Sequence, residues 1–241
     1  MSTINVSHRR PVTAALTPVK GDLTFEGDSF KKMPGPYGDV GGSFFVKKCA
    51  NLISLEGGPG EVAKDVWISA NSRLRDLLDG PYKVGGSYRC SNNPGMVTLV
   101  GAPQEVPGAF NCANNPKLTS FNGGPKKVGK TFKSDSCNSI KSTRGMPIEI
   151  NGNVTMQMMT GLEDISDMWR HVKKINGELD LTGTPIERGG LGLLMIAGLT
   201  NIKSEQKAFA IISAHLSTGP QGVILCRKQL IEAGLEAFTS M

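Results

Sequence analysis

The stretch "VGGSYRCSNNPGMVTLVGAP", Val84 to Pro103, is followed two residues later by "VPGAFNCANNPKLTSFNGGP", Val106 to Pro125. Each carries a cysteine with an asparagine three residues on, and each closes on Gly-X-Pro. A metal or redox site written twice and a structural unit repeated are both open on that pattern alone. The rest of the chain decides between them. Turn-closing prolines fall at Pro59, Pro81, Pro103, Pro125 and Pro147, and opening aliphatics at Val40, Val62, Val84, Val106, Val128 and Ile150, in steps of 22 residues. Several columns in one register are the signature of a repeat architecture.

Each unit can be read as a small physical object. Val84, Tyr88 and Cys90, like Val106, Phe110 and Cys112, or Val40, Phe44 and Val46, point one way, which predicts a short strand with one buried face. Three residues past the strand stands Cys49, Asn71, Asn93, Asn115 or Cys137. Two apolar residues spaced by three follow: Leu52 and Leu55, Leu74 and Leu77, Met96 and Leu99, Leu118 and Phe121. A Gly-rich, Pro-terminated turn then returns the chain to the next strand. One such unit cannot bury its apolar side alone, whereas stacked units share a continuous core.

The order apolar-x-apolar-x-x-Asn/Cys-x-x-Leu resembles the leucine-rich repeat. The resemblance covers Val40 to Pro147 most clearly. Weaker rungs extend it at "VKGDLTF" (Val19 to Phe25), "INGNVTM" (Ile150 to Met156) and "INGELDL" (Ile175 to Leu181). The fold class it implies is α+β: a leucine-rich-repeat-type solenoid of about eight rungs of 21–22 residues with a parallel strand ladder, one inserted helix and a helical C-terminal cap. At about 4.8 Å per strand the ladder is roughly 35 to 40 Å long. The "GGP" turns, the "VxGxFxC" strands and the tail "VILCRKQLIEAGLEAF" (Val223 to Phe238) are also similar to a family of tailed-bacteriophage proteins. That similarity implies a phage origin and brings no activity with it.

Under this reading the cysteines are frame. Cys90 and Cys112 hold the last inward strand position, where a small thiol acts as a hydrophobe. Cys49 and Cys137 replace the asparagine that caps backbone groups at the bend, weakly where Asn does so strongly. A zinc site needs four converging ligands at short spacings. These cysteines sit at rung spacing, and the histidines are His8, His171 and His215. No metal or cofactor is expected. Cys226, in the C-terminal helix, suggests the bacterial effector ubiquitin ligases, which use a cysteine nucleophile. Here "CRK" follows with no Asp at the second position, so the cysteine reads as buried and the protein as no enzyme.

Composition bounds the remaining classes. With 39% hydrophobic residues, 30 glycines and 14 prolines, the chain can bury a core among many turns. Its longest apolar run, near Leu191 to Leu199, is too short to span a bilayer. The first twenty residues lack a signal-peptide core, so the expected location is the host cytoplasm or the virion. Five cysteines, an odd number, argue against a disulfide framework, and a net charge of +6 permits acidic partners without demanding them.

Outward strand positions make the exposed concave face, and that column reads Phe45, Trp67, Arg89, Asn111, Lys133 and Thr155. Two aromatics followed by cations predict a protein-binding stripe, with Ser43, Lys47, Asp65 and Ser87 as a polar rim. The competing expectation is that the N-terminal arm or the C-terminal segment folds over Trp67. Lys126, Lys127, Lys130 and Lys133 form the densest basic patch, a solvated edge or a remoter nucleic-acid surface.

The chain divides into an N-terminal arm (1–18), the solenoid (19–203, regular over 38–147) and a helical cap (204–241). Ile165, Met168, Trp169 and Val172 predict a helix inserted at about 161–174, with Trp169 in the core. "LGLLMIAGLTNI" (Leu191 to Ile202) predicts the last strand, followed by helices over Lys207 to Leu216 and Val223 to Phe238 with Gly219-Pro220 between them. The functional expectation is a non-enzymatic solenoid that engages a host or phage protein. The alternative is a virion component that assembles through its arm and cap.

Overall fold

Alternating burial along short strands is what stacks the rungs. A computed structural model describes residues 16–241. They form a parallel β-solenoid of about eight rungs. The main ladder runs through Leu23–Glu26, Phe44–Lys47, Val66–Ser69, Tyr88–Arg89, Phe110–Asn111, Phe132–Lys133, Val154–Thr155, Lys174–Asp180 and finally Ala197–Lys203. Every pairing is parallel, and Phe44, Val66, Tyr88, Phe110, Phe132 and Val154 lie side by side.

That column is the spine of the core. All six side chains are fully buried, with Val46, Ile68, Cys90 and Cys112 beside them and the turn residues Leu52, Leu74, Met96 and Leu118 opposite. The rings of Tyr88, Phe110 and Phe132 stack at 5.9 Å spacing, and Phe121 meets Phe132 edge-on at 5.4 Å. Stacking follows from the register, since identical positions one rung apart must face each other.

The bend after the strand is held by an asparagine ladder. The Oδ1 atoms of Asn71, Asn93 and Asn115 accept the backbone N–H of Cys49, Asn71 and Asn93 at 3.0, 2.9 and 2.8 Å. Their Nδ2 atoms donate to the carbonyls of Val46, Ile68 and Cys90 at 2.9–3.0 Å. Each amide therefore satisfies two backbone groups of the preceding rung, which is how a buried bend avoids orphaned polar atoms. Cys137 ends the run with a weaker donation from Sγ to the Cys112 carbonyl at 3.2 Å.

The structure corrects the sequence reading in three places. The single strand read at the head of each unit is two. A side ladder pairs Glu61–Val62 with Lys83–Val84, and Glu105–Val106 with Lys127–Val128, Glu149–Ile150 and the long strand Lys174–Asp180. The chain turns at the next two positions, mostly glycine, before it enters the main ladder. The side ladder is interrupted between Val84 and Val106. Ala63, Gly85, Gly129 and Asn151 each donate an N–H to the valine carbonyl one rung back. Pro107 stands in that column and has no N–H to give.

The inserted helix is the second correction. Only Met168–His171 (α1) is helical. Leu162 and Ile165 instead continue the turn columns of Leu52 and Leu55 at the repeat spacing, and both are buried. The i, i+3 spacing of a rung turn is also that of a helix, so the two patterns merge in sequence. Trp169 lies at the core edge, partly buried, rather than inside it.

The ends are the third. Leu191–Met195 is a 3-10 turn, and the last strand is Ala197–Lys203. The cap helices are Lys207–Ser213 (α2) and Gly219–Glu232 (α3), with a 3-10 turn at Glu236–Thr239. Gly219-Pro220 begins α3 instead of separating two helices, because proline at the first helical positions sacrifices no hydrogen bond. Gly234, at φ +70°, stops the chain from continuing as one helix to Phe238. Phe209 and Phe238 meet edge-on at 5.8 Å and, with Ile212, Cys226 and Leu230, close the last rung. Most of the expected arm, residues 1–15, lies outside the described residues. Val19 bridges to Val40 at the first rung.

Candidate functional site

Because side chains alternate along a strand, what the core column takes inward the next column must present outward. Thr24, Phe45, Trp67, Arg89, Asn111, Lys133 and Thr155 stand side by side on the outer face of the main ladder. Phe45, Trp67, Arg89, Asn111 and Lys133 are all partly exposed.

The stripe divides into two halves of different chemistry. In the first, Phe45 and Trp67 have ring centroids 6.3 Å apart. Arg89 reaches Trp67 from the following strand, with Cζ 4.1 Å from the ring centroid. Lys47 reaches it from the preceding strand, with Nζ 4.2 Å from Trp67 and 4.6 Å from Phe45. Trp67 is thus held between two cations. Among the described residues neither Lys47 nor Arg89 is in an ion pair. Each such contact contributes about 0.5–2 kcal/mol, enough to fix the side chains while leaving their N–H donors available.

In the second half the polar groups are already engaged. Lys133 pairs with Asp135 at 2.6 Å, and Asp135 accepts the Gln157 N–H at 3.1 Å. The Asn111 side chain accepts the Ala113 N–H at 3.0 Å. Further along, Lys203 pairs with Glu178 at 2.6 Å. Trp67 is screened by its own stripe neighbours, and among the described residues the cap helices pack on the last rung, well along the ladder from it. Sequence reading placed Lys47 on the rim; that it lies on Trp67 depends on the cross-strand register.

The basic patch is regrouped as well. Lys126, Lys127 and Lys130 are exposed, but they face different neighbours. Lys127 belongs to an alternating column of the side ladder, Glu61, Lys83, Glu105, Lys127, Glu149 and Lys174. Lys83 pairs with Glu61 at 2.6 Å and Lys127 with Glu105 at 3.8 Å. The hydrogen bond from Lys83 holds the Glu61 carboxyl below its usual range. Like charges one rung apart are thereby avoided, and a slip by one rung would juxtapose them. Lys126 stands in the next column over and lines a separate cleft with Arg144, Arg170 and Lys173.

All five cysteines are buried and unpaired. Burial pushes the Cys90 thiol well up and the Cys226 thiol to about 11. A neutral buried thiol is a poor nucleophile. Among the described residues no group of three or more His, Cys, Asp or Glu side chains is placed to hold a metal ion, and no helix is long and apolar enough to cross a membrane. Within the cap, α3 exposes three apolar side chains, Ile224 at 71%, Leu225 at 55% and Ile231 at 46%. No family model matches the chain, and neither a curated protein nor a solved structure matches it.

Proposed function

We propose that this chain is a non-enzymatic solenoid that binds another protein through the first half of its outward strand face, centred on Trp67. The supporting observation is the arrangement of Lys47, Trp67 and Arg89: a large aromatic held between two cations that have no ion-pair partner among the described residues. Trp and Arg are the residues that most often anchor protein interfaces. A rigid ladder also presents them without the ordering cost that a loop incurs on binding. Asn111 and Lys133 extend the contact along the stripe. The similarity of the "GGP" turns and "VxGxFxC" strands to tailed-phage proteins favours a phage-encoded chain, with a host factor or another phage component as partner.

The test compares wild type with the Trp67→Ala, Arg89→Ala double variant as bait in host lysate, with circular dichroism as the folding control. A partner retained by wild type and lost by the variant is the expected result. Equal recovery refutes the stripe, and retention of DNA with a steep salt dependence would favour a nucleic-acid surface instead. A second reading, a virion component, is favoured by the apolar face of α3. It predicts that the chain is found in purified particles and that Ile224→Ser with Leu225→Ser abolishes incorporation.

A further inference from the structure

Several cations of this solenoid pair with acids one rung away. Lys32 pairs with Glu56, Lys48 with Glu26, Lys83 with Glu61, and Arg188 with Asp164. In one cleft four cations instead line a single concave surface: Lys126, Arg144, Arg170 and Lys173. Lys126, Ile148 and Lys173 stand in one column at the entry to the side ladder, with Ile148 N–H donating to the Lys126 carbonyl and Lys173 N–H to the Ile148 carbonyl. The two lysines are therefore two rungs, about 9.6 Å, apart along the ladder, with an exposed isoleucine between them. The turn before Ile148 brings Arg144 to the same cleft, and α1 brings Arg170. Among the described residues Lys126, Arg144 and Lys173 are in no ion pair. The nearby carboxylate Asp167 is engaged, accepting from Thr143 Oγ1 at 2.9 Å and lying 3.3 Å from His171 Nε2.

Converging cations around a concave surface repel one another unless an anion neutralises them. The cleft measures about 380 Å³, and Met146 and Ile148 line it together with the cations. That is more than a bare phosphate fills, and within the range of small-ligand sites. We infer that this cleft binds a small organic phosphate, whose phosphate oxygens accept from Arg144, Lys126 and Lys173 and whose organic part lies on the exposed Ile148. Arginine supplies a planar pair of donors and the two lysines point charges, the combination that suits a multiply charged phosphate. The site is separate from the Trp67 stripe, so either can fail without the other.

The neighbourhood carries its own reporter. Arg170 and Lys173 lie 5.6 and 5.9 Å from the Trp169 ring, so an anion that draws them away changes its emission. The experiment uses the full chain with Trp67→Phe, leaving Trp169 as the only tryptophan. Trp169 fluorescence and calorimetry are followed during titration with ADP, pyrophosphate and adenosine. ADP is expected to bind, pyrophosphate to bind several-fold more weakly, and adenosine not at all. Arg144→Ser and Lys173→Ser should each weaken ADP roughly tenfold or more, about the worth of one charge-assisted hydrogen bond. Ile148→Ser should reduce ADP to the pyrophosphate level and leave pyrophosphate unchanged. These exposed positions tolerate substitution without unfolding. Lys130→Ser, also exposed but outside the cleft, should leave ADP binding within about twofold, since a solvated charge outside the contact is screened. An equal loss in Lys130→Ser, absence of ADP binding, or binding of oligonucleotides alone overturns the inference.

Discussion

Replacing Asn93 by alanine tests what holds the bends. Asn93 is fully buried, and its side chain accepts the Asn71 N–H at 2.9 Å and donates to the Ile68 carbonyl at 2.9 Å. Alanine leaves both backbone groups buried without these partners. An orphaned buried polar group costs about 1–3 kcal/mol, so the pair costs about 2–6 kcal/mol before any cavity is counted. Aspartate at the same position keeps an acceptor for Asn71 but loses the donor to Ile68 and buries a charge, so it should be comparably severe. Cysteine should be the mildest of the three, because Cys137 occupies the same column and still reaches a carbonyl through Sγ. The assay is urea denaturation followed by circular dichroism, with hydrogen exchange at Asn71 to localise the loss. A cost below about 1 kcal/mol for Asn93→Ala, or cysteine worse than alanine, would refute a hydrogen-bonded ladder as the support of the bends.

Three further outcomes follow from the same stacking. Among the described residues the buried Tyr88 hydroxyl has no hydrogen-bond partner, and Phe110 and Phe132 fill the next two rungs, so Tyr88→Phe should stabilise by about 1–2 kcal/mol in thermal or urea unfolding. Ala70 sits at φ 59° in the column where Asn92 and Asn114 take the same left-handed conformation, so Ala70→Asn should stabilise by about 0.5–1 kcal/mol and Ala70→Val should destabilise. Glu26, Glu61 and Glu178 are each lowered from 4.5, first by hydrogen bonds from Lys48, Lys83 and Lys203. Stability from a depressed carboxyl is complete above its unfolded value and lost as pH falls through the folded one. Melting temperature should therefore drop as pH falls below 4.5, and Glu61→Gln with Glu178→Gln should flatten that acid limb.

The amino-acid sequence by itself determined the period, the inward columns and the asparagine bends. Each is a local pattern repeated at one spacing, and side-chain alternation translates it directly into faces. The outward stripe from Phe45 to Lys133 was legible for the same reason. Its chemistry was not. Lys47 and Arg89 are far from Trp67 in the chain and meet it only because parallel rungs put them on either side. The same holds for Lys126, Arg144 and Lys173, whose convergence depends on how the rungs stack and on where the α1 insertion falls. Leu162 and Ile165 show the limit from the other side: an i, i+3 apolar pair fits a helix and a rung turn equally. Only packing against the column of Leu52 and Leu55 selects the turn. Sequence periodicity reports which face a residue occupies, whereas neighbours across rungs, and with them the candidate sites, are set by register in three dimensions.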